Sequence, residues 1–222
     1  MANGPLAQDP NELFDVILAD GTPTGRTKAR RDVHRDGDWH RAVHVWIAGV
    51  GDHGVPFLVV QRRGPDKDTW PGRLDPTVGG HYRAGEALQE ALREVEEELG
   101  VQMALDSVRP LGRRIAVNER EVGICDRELQ EVFLLRDDRP LTAYRPNAAE
   151  LAALVRFPLP ALLDFFAGDR ETVVGDALAP GAYRLESIAC GIDDFTPTVD
   201  RYFYRVAIAA GLVLRGERHA AV

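Results

Sequence analysis

Residues 79–101 read GGHYRAGEALQEALREVEEELGV, and this stretch decides how the rest of the chain is read. Neither Pro nor Gly interrupts Glu86 to Leu99, and Leu88, Ala91, Leu92, Val95 and Leu99 recur at helical spacing. That pattern predicts one amphipathic helix with a single apolar stripe, closed by Gly100 as a C-terminal cap. Off the stripe, Glu94, Glu97 and Glu98 stand at i, i+3 and i+4, so three carboxylates project from one face. Like charges that close repel unless a cation lies among them. Hard oxygen donors suit Mg2+ or Mn2+, ions that also bridge phosphates. A glutamate run can equally be an ordinary solvated face. What favours the metal is the loop just upstream, where the glycines between Gly79 and Gly85 let backbone approach a phosphate or an ion and Glu86 arrives at the helix start.

Upstream of this segment, residues 1–11 read as a loose polar arm. Glu12 to Leu18 predicts a strand followed by a turn at Asp20, Gly21 and Pro23, then a return strand or short helix from Arg26 to His34. Ala42 to Ala48 and Phe57 to Arg62 are β-branched and aromatic runs separated by a Gly-rich stretch, which predicts a hairpin. Downstream, strands are expected at Arg114 to Val117 and Leu129 to Leu135, with helices at Ala148 to Val155 and Asp200 to Leu214. The organisation expected is one domain over 1–222: an N-terminal arm and extension (1–40), a catalytic core (41–165) and a C-terminal helical extension (166–222). The extensions offer surface for a homodimer.

The bulk composition limits the function classes. The chain has 222 residues, 45% hydrophobic and 28% charged, enough to bury a full core. No window approaches the ~18 apolar residues of a membrane span, and the first thirty residues show no signal-peptide pattern. No membrane partner and a cytoplasmic location are expected. Cys125 and Cys190 stand alone, without CxxC spacing, and read as reduced thiols. A net charge of −8 argues against general nucleic-acid binding, since phosphate backbones are held by surplus Lys and Arg. The partner expected is a small-molecule diphosphate, approached through a metal.

With these residues in place, the sequence closely resembles the Nudix box, G-x5-E-x7-R-E-U-x-E-E-x-G-U, where U is a bulky aliphatic residue. Gly80 and Glu86 match its opening; Arg93, Glu94, Val95, Glu97, Glu98, Gly100 and Val101 match its second half in register. Six residues rather than seven separate Glu86 from Arg93, and this places Glu90 where the family usually has a small core residue. A modified helix start is the simplest accommodation. The resemblance implies the Nudix fold, an α/β (α+β) protein built as an α/β/α sandwich around a mixed sheet. It also implies that Glu94, Glu97 and Glu98 bind metal with the Gly80 carbonyl, that Arg93 orients the glutamates, and that Glu97 and Glu98 serve catalysis.

A wider resemblance, from Leu13 to Phe157, is to the Nudix branch near isopentenyl diphosphate isomerase, carried by Trp39-His40, His44, Gln61-Arg62-Arg63, Trp70-Pro71-Gly72 and Val78-Gly-Gly-His81. That isomerase carries a Cys two residues before the loop His. Here Gly79 stands there, which ranks isomerisation below hydrolysis. The branch's additional metal site implies a second set at His40, His81 and Glu128, with Asp126 as a further member and His34 displaced by one residue. A glutamate outside the box acts as base or extra ligand in several members; strand alternation separates Glu128 from Glu131, and Glu128 is preferred. Arg62 or Arg63 would hold phosphates and Trp70 would stack on a base. The function expected is hydrolysis of a nucleoside diphosphate derivative or nucleotide with Mg2+ or Mn2+. The alternatives are an isomerase-like enzyme and a catalytically weak nucleotide-binding module.

Overall fold

The computed structural model describes residues 9–67, 69–119 and 124–222; most of the expected arm, residues 1–8, lies outside them. Along the chain run β1 (Leu13–Ile17), β2 (Pro23–Ala29), α1 (Arg30–Asp36), β3 (Trp39–Val50), β4 (Pro56–Arg63), β5 (Leu74–Asp75), β6 (Val78–His81), α2 (Leu88–Ala91) and α3 (Arg93–Leu99). They are followed by β7 (Val108–Asn118), β8 (Asp126–Arg136), β9 (Leu151–Pro158), α4 (Leu159–Ala167), β10 (Val173–Leu178), β11 (Glu186–Cys190) and α5 (Tyr202–Leu214).

β3 is the spine. One end of it pairs antiparallel with β4 through Ile47 to Val50, the middle with β6 through Ala42 to Val45, and its other edge runs parallel to β8 from Trp39 to Ala48. A strand flanked on both edges and covered on both faces must be apolar on both faces, which is why Val43 to Ala48 reads as a nearly continuous apolar run. Period-two alternation then divides the core. Val43, Val45 and Ile47 join Val95 and Leu99 of α3 on one face; Trp46 and Ala48 join Leu162 and Phe165 of α4 and Phe203 and Val206 of α5 on the other. This is the expected sandwich of helices around a mixed sheet. The sheet continues beyond the middle at both ends, in the order β11, β10, β9, β4, β3, β1, β2.

Three local expectations fail. The first concerns Glu86 to Leu99, which is not one helix: the chain breaks at Leu92 (ψ −8°), between α2 and α3. The break absorbs the missing residue, and Glu90, far from entering the core, is exposed and accepts the Ala87 N–H at 2.7 Å as a cap. Second, Ala148 to Val155 does not form a helix. Its Ala-rich composition favours one, but Leu151 to Pro158 is needed to bridge β4 and β10, and pairing on both edges overrides propensity. Third, the segment 166–222 is not simply helical, because Val173 to Leu178 and Glu186 to Cys190 extend the sheet as antiparallel strands. No helix among the described residues is long and apolar enough to cross a membrane.

α5 is anchored to the spine by polar contacts as well as by packing. The buried Tyr202 hydroxyl accepts Trp46 Nε1–H at 2.8 Å and lies 3.0 Å from His44 Nδ1. Removing that oxygen leaves a buried indole N–H unpaired, a cost of about 1–3 kcal/mol. Tyr202→Phe is therefore expected to lower the thermal midpoint by several degrees, at roughly 2–4 °C per kcal/mol for a chain of this size. A calorimetric scan showing no shift would contradict this account of the anchor.

Candidate functional site

A cleft of about 260 Å³ opens where α3, β6, β7, β8 and the segment before α5 meet. Its first wall is acidic. Glu98 is buried, with its carboxylate accepting Gln61 Nε2–H at 3.1 Å, and Glu94, one turn earlier, lines the cleft beside it. Gly80 faces them from β6. A Cβ built on Gly80 would stand 2.4 Å from Glu94 Cγ, so the bare backbone is what lets the carboxylate lie over it. Arg93 binds Glu86 at 2.8 Å and Glu94 at 2.9 Å and lies 3.6 Å from Glu97. The shortened spacing therefore leaves Glu86 and Arg93 in contact. Glu97 is directed outward: its side chain is 49% exposed and does not line the cleft.

Burial pushes the Glu94 carboxyl up to about 7, with Arg93 opposing and Glu97 adding to the rise. Burial, then Glu94 itself, pushes Glu98 well above the ordinary carboxylate range. Two acidic groups that resist ionising together form a site whose anionic form is completed by a cation. Oxygen donors alone, with a backbone carbonyl and open cleft beside them, fit Mg2+ or Mn2+ in that role.

The second wall is a histidine centre. His34 from α1, His40 from β3, His81 from β6 and Asp126 from β8 each bring a potential ligand atom within 4.8 Å of the others. Glu128 joins them, 2.8 Å from His81 Nε2 and 4.0 Å from His40 Nε2. The side chain of His40 is nearly fully buried; its Nδ1 lies 3.2 Å from the Asp38 carbonyl, and its Nε2 has no hydrogen-bond partner while standing 3.5 Å from Asp126. An orphaned ring nitrogen aimed into such a cluster fits a divalent ion, with the carbonyl of Asp38 as orienting partner. Burial holds His40 and His81 down to about 4, so both rings are neutral at physiological pH, as ligands must be. For Glu128, burial works upward, but the hydrogen bond from His81 together with the surrounding histidines His81, His40 and His44 holds the carboxyl well below its usual range.

The expected residues fall into place unevenly. Glu128 faces the cleft, whereas Glu131 points to the opposite face and is taken up by Tyr82, Arg41 and Arg113. Arg63 and Trp70 line the cleft, Arg63 being held by Asp75 at 2.7 Å. Arg62 does not line it. Alternation along β4 turns it away, where it donates to the Gly72 carbonyl at 3.0 Å and lies 3.6 Å from Asp194, so its expected role in phosphate binding is withdrawn. His34, one residue off the expected pattern, nonetheless reaches the cluster because it sits on α1, whose placement no strand register fixes. Neither thiol lines the cleft: Cys190 is buried near Arg62, and Cys125 donates to Glu119 at 3.3 Å.

Sequence reasoning missed several lining groups. Glu12 enters from just before β1, and Glu150 lies beside Glu98, paired with Lys67. Arg114 forms a two-pronged ion pair with Asp200 at 3.0 Å and donates to Gln130, which donates to Glu128. The only available signal was unpaired charge in short apolar segments, and it does not specify a partner 86 residues away.

Residues 38–174 match the family model described as NUDIX domain. Over 153 residues, 66% of this chain, the sequence is 38% identical to Nudix hydrolase 3 of Arabidopsis thaliana, spanning 19% of that protein. Over 131 residues it is 36% identical to an isopentenyl-diphosphate Delta-isomerase of Rhizobium rhizogenes, covering 58% of this chain and 59% of that one. The chain thus spans less than two thirds of either relative. A crystal structure of a Deinococcus radiodurans protein superposes with a TM-score of 0.52 at 26% identity, over 71% of this chain and 90% of the other.

The raised carboxyls carry a pH signature. Between the unfolded glutamate value of about 4.3 and the folded value of about 7 at Glu94, the folded form holds more protons, so without metal this group's contribution to stability falls as pH rises through that window. A divalent ion replaces those protons and relieves the cost. Mg2+ is accordingly expected to raise the thermal midpoint more at pH 8 than at pH 5. Equal gains at both pH values in thermal melts would refute the carboxylate site.

Proposed function

The chain belongs to the Nudix family, and from that premise we propose that it hydrolyses a phosphoanhydride bond in a nucleoside diphosphate derivative or nucleotide, with Mg2+ or Mn2+ held by α3. The observation that carries this reading is the pair of carboxylates, the buried Glu98 and the half-buried Glu94, facing the bare backbone of Gly80 in the same cleft as cationic side chains. Glu94, Glu98 and the Gly80 carbonyl would hold the ion, with Glu97 as a solvent-side ligand at the lip. Arg93 keeps Glu94 and Glu97 aligned through its shared contacts. A divalent ion supplies charge neutralisation of the diphosphate and a more acidic water. Arg63 and Lys67 stand where phosphate oxygens would lie, and Trp70 offers an aromatic face to a base. Water attacks phosphorus, the anhydride P–O bond breaks, and the departing phosphate leaves with that oxygen. We read the extensions and the core as one working unit, since both termini contribute cleft residues.

A second reading, an isomerase acting on a diphosphate ester, is favoured by the histidine centre, whose donors would hold a further ion at His34, His40, His81, Asp126 and Glu128. Against it stands Gly79, where no proton-transferring side chain exists, together with a cleft that neither thiol lines. A product-identified screen of nucleotides, sugar nucleotides and isopentenyl diphosphate with each ion separates the readings. Turnover of a nucleoside diphosphate derivative is expected, and Glu98→Gln should lower kcat by roughly a hundredfold or more while the thermal midpoint holds. Conversion of isopentenyl diphosphate alone would reverse the order, and nucleotide binding without turnover would make the chain a sensing module.

A further inference from the structure

His40 and His81 are set in opposite tautomers within one cluster. Arg30 Nη1 lies 3.1 Å from His81 Nδ1, and a guanidinium has donors only, so that nitrogen is the acceptor. A neutral ring accepting at Nδ1 carries its hydrogen on Nε2, where it meets Glu128 Oε1 at 2.8 Å. Held this way, His81 has no lone pair to give to an ion on the Glu128 side. His40 is the reverse: Nδ1–H is fixed on the Asp38 carbonyl and Nε2 presents a lone pair to the cluster.

We propose that Arg30 is a resident cation of the histidine centre and gates its loading: it must leave His81 Nδ1 before that ring can ligate a divalent ion through Nε2. The inference rests on the reading of the cluster as a metal centre. Two positive charges so close to the same carboxylates repel, and the guanidinium is the one with somewhere to go. Arg30 is the first residue of α1, its guanidinium lies 5.9 Å from the Phe14 ring, and it already lines the cleft into which a substrate's phosphates would enter. A diphosphate that draws Arg30 onto its oxygens frees Nδ1 to take up a proton as Nε2 gives one up, so the ring stays neutral and changes only its tautomer. Phosphate binding and loading of the histidine centre then favour one another.

The test is Mn2+ titration of the full chain, with free ion followed by electron paramagnetic resonance, in wild type, Arg30→Met, Arg30→Lys and His40→Ala. Arg30→Met keeps an apolar stem over Phe14 and removes the charge; it is expected to tighten the histidine centre about tenfold, while Arg30→Lys stays near wild type. His40→Ala should bind one ion fewer. If His40→Ala binds as many ions as wild type, the cluster is not a metal centre and the underlying reading fails. If it loses one ion while Arg30→Met binds no more tightly than wild type, the gate alone is refuted. Nitrogen-15 shifts of His81 in the wild-type chain give a measurement free of folding effects: an Nε2–H tautomer without metal, turning to Nδ1–H with Zn2+, is expected. An Nδ1–H ring in the metal-free protein overturns the proposal.

Discussion

Two carboxylates withdrawn from water side by side are the constraint around which the molecule is arranged. Glu98 is 2% exposed and Glu94 lies one turn away, and Glu94 makes Glu98 harder to ionise. Such a pair is costly in an interior, even with Gln61 donating to Glu98 and Arg93 paired with Glu94. Several local features follow from keeping it. The break at Leu92 starts α3 afresh with Arg93 as its first residue, so the guanidinium reaches back to Glu86 and across to Glu94 from one position. Gly80 gives up its side chain so that Glu94 can lie over the backbone. Gly100, at φ +68°, ends the helix in the left-handed region that favours glycine, and the segment before β9 brings the Asn147 N–H to the Glu98 carbonyl at 2.9 Å.

The second constraint is register. β3 and β8 run parallel with His40 opposite Glu128 and Ala42 opposite Gln130, so alternate residues of both strands face the cleft. β6, on the same strand's other edge, sets His81 opposite Ala42. Three strands thereby deliver His40, His81 and Glu128 with no loop involved, and a one-residue slip in any of them would send its donor to the opposite face. The histidine and carboxylate sites are joined through adjacent residues, Gly80 and His81, so a displacement of β6 would be felt in both.

This explains what was legible in the sequence. The α3 carboxylates follow from a period of 3.6, which is local, whereas Gly80 and the strand donors His40, His81 and Glu128 are legible only through the resemblance to the family's motifs. The pleat separates Glu128 from Glu131, and the resemblance to the family's additional metal site is what favours Glu128. His34 was harder, since its place depends on how α1 packs over β1 and β8. Arg62 and Arg63 show the limit from the other side: adjacent, identical in type, and on a strand predicted correctly, they part because one faces the cleft and the other the C-terminal strands, and nothing local says which. Residues 148–155 fail for a related reason, as alanine-rich composition states a preference that two neighbouring strands then overrule.

The C-terminal segment is where sequence and structure differ most, and it alters the meaning of the cleft. Asp200 holds Arg114, Arg114 holds Gln130, and Gln130 donates to the carboxylate that accepts from His81. The segment before α5 is therefore joined to the histidine centre by a continuous chain of hydrogen-bonded side chains. The same segment supplies Val199, almost fully exposed at the cleft's rim, beside Ile115 and Val117 of β7, both half-exposed. Phosphates would be held deep, between Arg63, Lys67 and the acidic helix, while the organic part of a substrate would meet this apolar rim. Since the family's scaffold is indifferent to its leaving groups, discrimination between substrates has to reside in walls of this kind, and here the wall joins β7 of the core to the segment before α5.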